Sequence, residues 1–289
     1  MDNYLYLTGG VVRLTLDSMQ RSAQFGGLLL GRTPNMALNQ GTPPKTVLLV
    51  SFPRSGTSWL GSVLENFGAP FTYYGELFAC LSEAPGLGII ARNYRGFKFR
   101  YLRAFIAQRR QWRLTSFEDF GLSSTRVLQI MGQQAGINVV KVFPRHVSDS
   151  QFETLLREFA PHIVFLRRNH LDRFTSIERA KRTGTWQNAQ YREVDIAIDE
   201  VELQRVAGEA QAWYRAQKKL CLSLGLTVTD VAYEELLDES NLRSLLETLA
   251  DGQLSIPASQ PLSSSLSKQG GLQDHSEYVF PSWSPTSAS

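Results

Sequence analysis

Cysteine is almost missing from this chain: Cys80 and Cys221 are the two among 289 residues, far apart, so neither a disulfide framework nor a cysteine-rich metal site is suggested. Histidine is nearly as sparse. The four, at 146, 162, 170 and 275, show none of the spacings that build a zinc centre, and no metal is expected. No apolar run approaches the roughly 18 residues of a membrane span. The opening Met1-Asp2-Asn3-Tyr4 lacks the basic region and cleavage site of a signal peptide, which makes a cytoplasmic location the expectation. A net charge of +3 does not call for nucleic acid as a partner.

A further absence is chemical. A nucleoside-triphosphate hydrolase normally carries Gly-x-x-x-x-Gly-Lys-Ser/Thr, its Lys on the terminal phosphates and its hydroxyl on Mg²⁺. Here the apolar run Val47-Leu48-Leu49-Val50 leads into Ser51-Phe-Pro-Arg-Ser-Gly-Thr-Ser-Trp-Leu60, with Thr57 directly after Gly56. The pattern is a strand, a tight turn and a helix N-terminus that grips an oxyanion. Gly56 lets backbone approach the anion, Ser55, Thr57 and Ser58 offer hydroxyls, Arg54 offers a fixed cation, and the first helical N–H groups point the same way. A second apolar run, His162-Ile163-Val164-Phe165-Leu166, ends in Arg167-Arg168 where a magnesium site would want Asp. The ligand's charge is therefore met by Arg and backbone.

Arg168 opens the segment Arg-Asn-His-Leu-Asp-Arg-Phe-Thr-Ser176, and with it the chain resembles the sulfotransferases that use 3′-phosphoadenosine-5′-phosphosulfate (PAPS). In that family an Arg at a strand end and a Ser eight residues on hold the 3′-phosphate, which Arg168 and Ser176 match, with Asn169 and Asp172 also in pattern. The family's loop for the 5′-phosphosulfate is matched by Pro53, Arg54, Ser55, Gly56, Thr57, Ser58 and Trp59. The resemblance covers roughly residues 45–250. It implies PAPS as sulfuryl donor, an acceptor hydroxyl, most readily on a carbohydrate or glycolipid, and a nucleotide-closing loop near the C-terminus, for which Lys268, Gln269 and Gly270 are the candidates.

Sulfuryl transfer needs a base for the acceptor proton and positive charge for the leaving phosphate. Arg54 suits the second task by electrostatics, since Arg stays charged where a family Lys can also donate a proton. For the base, Glu76 in Tyr74-Gly75-Glu76-Leu77-Phe78 resembles the catalytic Glu of bacterial trehalose-type and tyrosylprotein sulfotransferases. His146 competes with it: cytosolic sulfotransferases use Lys-x-His at a related strand end, although Lys141 and His146 are spaced three residues too far apart. Both stay open at this stage.

Apolar runs near 46–52, 137–143, 162–167 and 227–232 alternate with helical patterns near 56–67, 122–135, 149–159, 170–182, 199–224 and 241–250. Such alternation predicts an α/β fold, a parallel P-loop-like sheet covered by helices on both faces, with ligands at the carboxyl ends of its strands. Residues 45–289 then form one sulfotransferase domain whose segment 252–289 is largely irregular. Residues 1–44 read as an N-terminal extension whose apolar and basic residues suggest a short helix. Between Arg92 and Arg113 lie eight Arg or Lys residues and no acid, interleaved with aromatics. A core-facing aromatic stripe with a solvated cationic face explains this plainly, and peripheral contact with an anionic membrane is the sharper alternative. Two other functions fit the same loop: a nucleoside-triphosphate-dependent phosphotransferase or switch, and a non-catalytic nucleotide-binding module.

Overall fold

The computed structural model describes residues 3–7, 10–14, 44–78, 123–144, 146–184, 196–252, 254–257 and 259–264. The chain divides into two compact units, Met1–Gln40 and Gly41–Ser289. In the first, β1 (Asn3–Leu7) and β2 (Gly10–Leu14) pair antiparallel with Leu7 opposite Gly10. Over these residues the chain pairs as a hairpin and not as the expected short helix; residues 15–43 of the extension lie outside the described residues. Tyr4, Tyr6, Val11 and Val12 are β-formers placed so near a Thr-Gly break that two strands pair locally, whereas a helix would have to run through Gly9 and Gly10.

The second unit is built on five parallel strands: β3 (Lys45–Ser51), β4 (Phe71–Tyr73), β5 (Ile137–Val142), β6 (His162–Arg167) and β7 (Val228–Ala232), in the spatial order β4-β5-β3-β6-β7. Around them are α1 (Thr57–Phe67), α2 (Ser124–Met131), α3 (Asp149–Phe159), α4 (His170–Thr183), α5 (Glu200–Ser223) and α6 (Glu239–Leu249). Four strands coincide with the apolar runs of the sequence. β4 does not, being three residues long with nothing periodic to mark it. The helix expected near 122–135 stops at Met131, because Gly132 closes it with an N–H to the Leu128 carbonyl.

Alternation along the strands divides the core in two. Leu48, Val50, Val140, Val142, Ile163 and Phe165 face α2, α3 and α5, meeting Val127, Met131, Phe152, Leu156 and Tyr214. Val47, Leu49, Val139, Val164 and Leu166 face α1 and α6, meeting Leu60, Val63, Leu64, Leu242 and Leu246. A period of two puts successive side chains on opposite faces, so strands apolar at every position need helices on both. Each large side chain buried this way contributes about 1.5–3 kcal/mol.

The strand order places the topological switch point between β3 and β6. From β3 the chain moves outward to β4 on one side, and from β6 it moves outward to β7 on the other, leaving a crevice beyond their carboxyl ends. Ser51 closes the sheet beneath it. Its hydroxyl donates to the Leu166 carbonyl at 2.6 Å, and the Tyr214 hydroxyl of α5 donates to the same carbonyl at 2.9 Å.

Candidate anion-binding and catalytic site

Immediately after β3 the backbone reverses twice. Arg54 sits at φ 70° and Gly56 at φ 86°, both left-handed. For Gly56 the lack of a side chain is required twice over: a Cβ there would also lie 2.1 Å from Cδ2 of Tyr233. Tyr233 follows β7, is held by its N–H to the Arg167 carbonyl (2.7 Å), and meets Trp59 edge-on with ring centroids 5.6 Å apart. Trp59 itself is buried in the α1 layer of the core, so its place is under the loop and not at the open end.

The turn hands over to α1 with its N-terminus unsatisfied. Gly56 as N-cap offers no side-chain bond, and no acid stands in the first turn. By contrast Ser123, Ser148, Asn169, Asp199 and Asp238 each accept from the first backbone N–H groups of α2 to α6. The positive end of α1 thus points into the crevice with its donors open. Thr57 is buried and Ser58 exposed at this end, and the buried Ser55 hydroxyl has no hydrogen-bond partner among the described residues. A buried hydroxyl left so is costly unless something fills the position.

The second motif closes on the first. Arg54 Nε donates to Ser176 Oγ at 2.8 Å, and Arg168 Nη1 donates to the Arg54 carbonyl at 3.0 Å. These contacts join segments 122 and 114 residues apart in sequence. Because Ser176 accepts from Arg54, its own O–H is left to donate to a third group. Arg168 is buried, its Nε has no hydrogen-bond partner among the described residues, and its guanidinium lies 5.0 Å from the centre of the Tyr233 ring. Asn169 holds the turn below: its side chain caps Leu171 N and Asp172 N, and its own N–H donates to Glu234. Two guanidinium groups, two serine hydroxyls and an open helix N-terminus make a receptor for an anion with more than one phosphate-like group.

On the β5 side, Glu76, Lys141 and His146 meet. Lys141 Nζ is 2.6 Å from Glu76 Oε1 and 3.4 Å from Ser58 Oγ, which ties this cluster to the start of α1. His146 Nε2 is 3.7 Å from Glu76 Oε2. Both candidate bases therefore stand at one place. Lys141 is buried and Glu76 partly open, with side chains 5% and 28% exposed. Burial pulls His146 down to about 4, against the pull of Glu76 upward and with Lys141 adding to the fall, so the imidazole is neutral near pH 7. Burial and the neighbouring Glu76 and Glu65 push the Tyr73 phenol far up, which removes it as a base.

Sequence reasoning missed two contributors. Lys141 entered only as the start of an imperfect Lys-x-His, and Tyr233 did not enter at all, its place directly after the apolar run 227–232 being the one local signal. Lys268, Gln269 and Gly270, and the basic stretch 92–113, lie outside the described residues. Among the described residues no His, Cys, Asp or Glu cluster is arranged for a metal, and Asp230 on β7 is held between Arg167 (2.5 Å) and Lys218 (2.7 Å). No helix among them is long and apolar enough to cross a membrane.

Fold and site together define a parallel α/β protein in which two arginines, two serines and an uncapped helix N-terminus stand beside a carboxylate–lysine–histidine cluster. No family model and no curated protein matches the chain. Among solved structures, the crystal structure of mouse sulfotransferase SULT7A1 complexed with PAP aligns at a TM-score of 0.37 and 14% identity, over 74% of this chain; the match spans 60% of that protein's length.

Proposed function

We propose that this protein is a PAPS-dependent sulfotransferase acting on a hydroxyl, with a carbohydrate or glycolipid as the acceptor class. The observation that carries the reading is the Arg54–Ser176 hydrogen bond with Arg168 on the Arg54 carbonyl. It makes one receptor of the two segments that resemble the 5′- and 3′-phosphate motifs. The residues fit such a donor: the unpartnered Ser55 hydroxyl and Arg168 Nε are buried polar groups that an anion would satisfy. Arg54, Ser55, Thr57, Ser58 and the α1 N–H groups hold the 5′ end, and Arg168 with the Ser176 O–H holds the 3′-phosphate. The choice of acceptor rests on the likeness of the Pro53-Arg54-Ser55-Gly56 and Gly75-Glu76 segments to carbohydrate-type members.

PAPS supplies the sulfuryl group. Everything else falls to the protein. Glu76 accepts the proton of the acceptor hydroxyl as its oxygen bonds to sulfur, and Arg54 with the helix end stabilises the electron pair left on the phosphate oxygen. Lys141 lies between these two events, against Glu76 and within 3.4 Å of Ser58. Protonation of Glu76 cancels the carboxylate that offsets Lys141, so the ammonium charge acts on the donor side at the moment negative charge develops there.

Calorimetric titration with 3′,5′-adenosine bisphosphate, ATP and GTP, each with and without Mg²⁺, tests the reading. Tight bisphosphate binding that ignores Mg²⁺ is expected. Binding of ATP or GTP that depends on Mg²⁺ would instead make the protein a phosphotransferase or switch, and bisphosphate binding without transfer of labelled sulfate to any of a panel of sugars, glycolipids, phenols and tyrosyl peptides would make it a binding module.

A further inference from the structure

We infer that Arg173 is a third guanidinium of the anion receptor: stacked on Phe52 at the start of the turn after β3, and one helical step from Ser176 on α4, it holds a buried charge that a bound phosphate balances. This rests on reading the turn and α4 as the receptor for the donor's two phosphate-bearing ends. Arg173 is 4% exposed and Arg168 6%, and these two are the buried arginines among the described residues. Arginine is seldom buried without an ionic partner. Arg157, Arg167, Arg205 and Arg243 each stand against a carboxylate. Among the described residues no carboxylate pairs with Arg173; burial draws its pKa below the ordinary arginine value, and the Tyr214 phenol pulls the other way.

What the guanidinium meets is the Phe52 ring, 5.0 Å from its centre. Phe52 is itself fixed against Trp213 and Tyr214 of α5, with centroids 5.1 and 5.3 Å apart. A ring face attracts a cation but carries no net charge, so the contact recovers part of the lost hydration and leaves the charge unbalanced. The titratable neighbours bring no negative charge either. Burial pushes the Tyr214 phenol up, and His170, one turn earlier on α4, is drawn down to about 4 by burial, with Arg173 and Arg167 adding to the fall. Place decides which group can balance it. Phe52 stands two residues before Arg54, and Ser176, which accepts from Arg54 at 2.8 Å, follows Arg173 by three residues on one helix face. The charge is therefore directed to the Ser176 end of the receptor, where the 3′-phosphate is assigned. A buried charge of this kind costs the protein stability and attracts an anion that shares its low-dielectric surroundings.

The test sets stability against affinity in the full-length chain. Arg173→Met keeps an unbranched apolar stem against Phe52 and removes the charge. Its urea midpoint should hold or rise, while 3′,5′-adenosine bisphosphate binds about tenfold more weakly and adenosine 5′-phosphate loses less than about threefold. Arg173→Lys, which returns a cation at similar reach, should recover most of the affinity. A lower midpoint with unchanged bisphosphate affinity would make Arg173 a prop for Phe52, and equal weakening of both nucleotides would place its effect in the shape of the turn. Failure of the Lys variant to recover affinity would remove charge as the cause. Each of these overturns the inference. Should Arg173→Met not fold, Arg173→Gln takes its place, with the same outcomes expected for the two nucleotides. If the unaltered protein binds neither nucleotide, the functional reading falls, and inorganic pyrophosphate decides the role of Arg173: about tenfold weaker binding by the uncharged variant sustains it, whereas equal binding, or none by the unaltered protein, overturns it.

Discussion

The carboxyl ends of β3 and β5 lie side by side in the sheet, and each leads through a short turn into a helix, yet they are finished in opposite ways. After β5 the helix is sealed: Ser148 accepts from Gln151 N and the Gln151 side chain accepts from Ser148 N, a complete capping box with Asp149 in the first turn. After β3 the helix is left open at Gly56, with cations instead of acids around it. Where the backbone keeps its donors, an anion can be held by main chain and fixed charge. Where the backbone is satisfied, side chains are free for chemistry, and it is on the β5 side that Lys141 and His146 meet Glu76.

The comparison breaks most visibly at Glu76. Glu76→Gln keeps shape and removes basicity, so turnover should fall about 10²–10⁴-fold, while the bisphosphate dissociation constant stays within about threefold, equivalent to about 0.6 kcal/mol. Single-turnover sulfate transfer alongside titration separates the two. If binding falls with turnover, the division of labour between the strand ends is wrong.

A smaller loss is expected at the open turn. Gly56→Ala forces an L residue to a left-handed φ and drives its methyl into the Tyr233 ring, costing about 2–4 kcal/mol of stability, measurable in urea. Phosphate affinity should fall with it, since the α1 donors lose their placement. An unchanged midpoint would mean that the Tyr233 wall yields easily and the turn is not held as described.

Arg168→Ala removes a charge-assisted contact and should weaken bisphosphate binding by about 2–3 kcal/mol, whereas adenosine 5′-phosphosulfate, lacking the 3′-phosphate, should bind nearly as before. Equal weakening of both would assign Arg168 to holding the Arg54 carbonyl and nothing more. At the sealed end, Ser148→Ala should lower stability by about 1 kcal/mol and leave bisphosphate affinity alone. A fall in affinity there would show that the two helix starts are coupled.

Much of this was legible in the chain. Val47 to Ser51 followed by Arg54, Ser55 and Gly56 announces a strand and anion turn because local periodicity and glycine chemistry need no partner to be recognised. The eight-residue step from Arg168 to Ser176 was readable for the same reason, Arg168 standing just before the N-cap Asn169 and Ser176 within the first two turns of α4. β4 was not, as Phe71–Tyr73 is a strand only because β5 is beside it to receive its hydrogen bonds.

The amino-acid sequence by itself determined a parallel α/β sheet with an Arg-Ser-Gly turn after β3 and an arginine after β6, since strand alternation, turn glycines and helix starts are written within ten residues of one another. Only the tertiary structure decided that Arg54 bonds Ser176, that Tyr233 walls Gly56, and that Glu76, Lys141 and His146 share one corner. Those are contacts between segments from 65 to well over 100 residues apart in the case of Glu76–Lys141 and Arg54–Ser176. No local propensity encodes them; they follow from the order in which the strands are laid down, which brings distant carboxyl ends to one edge.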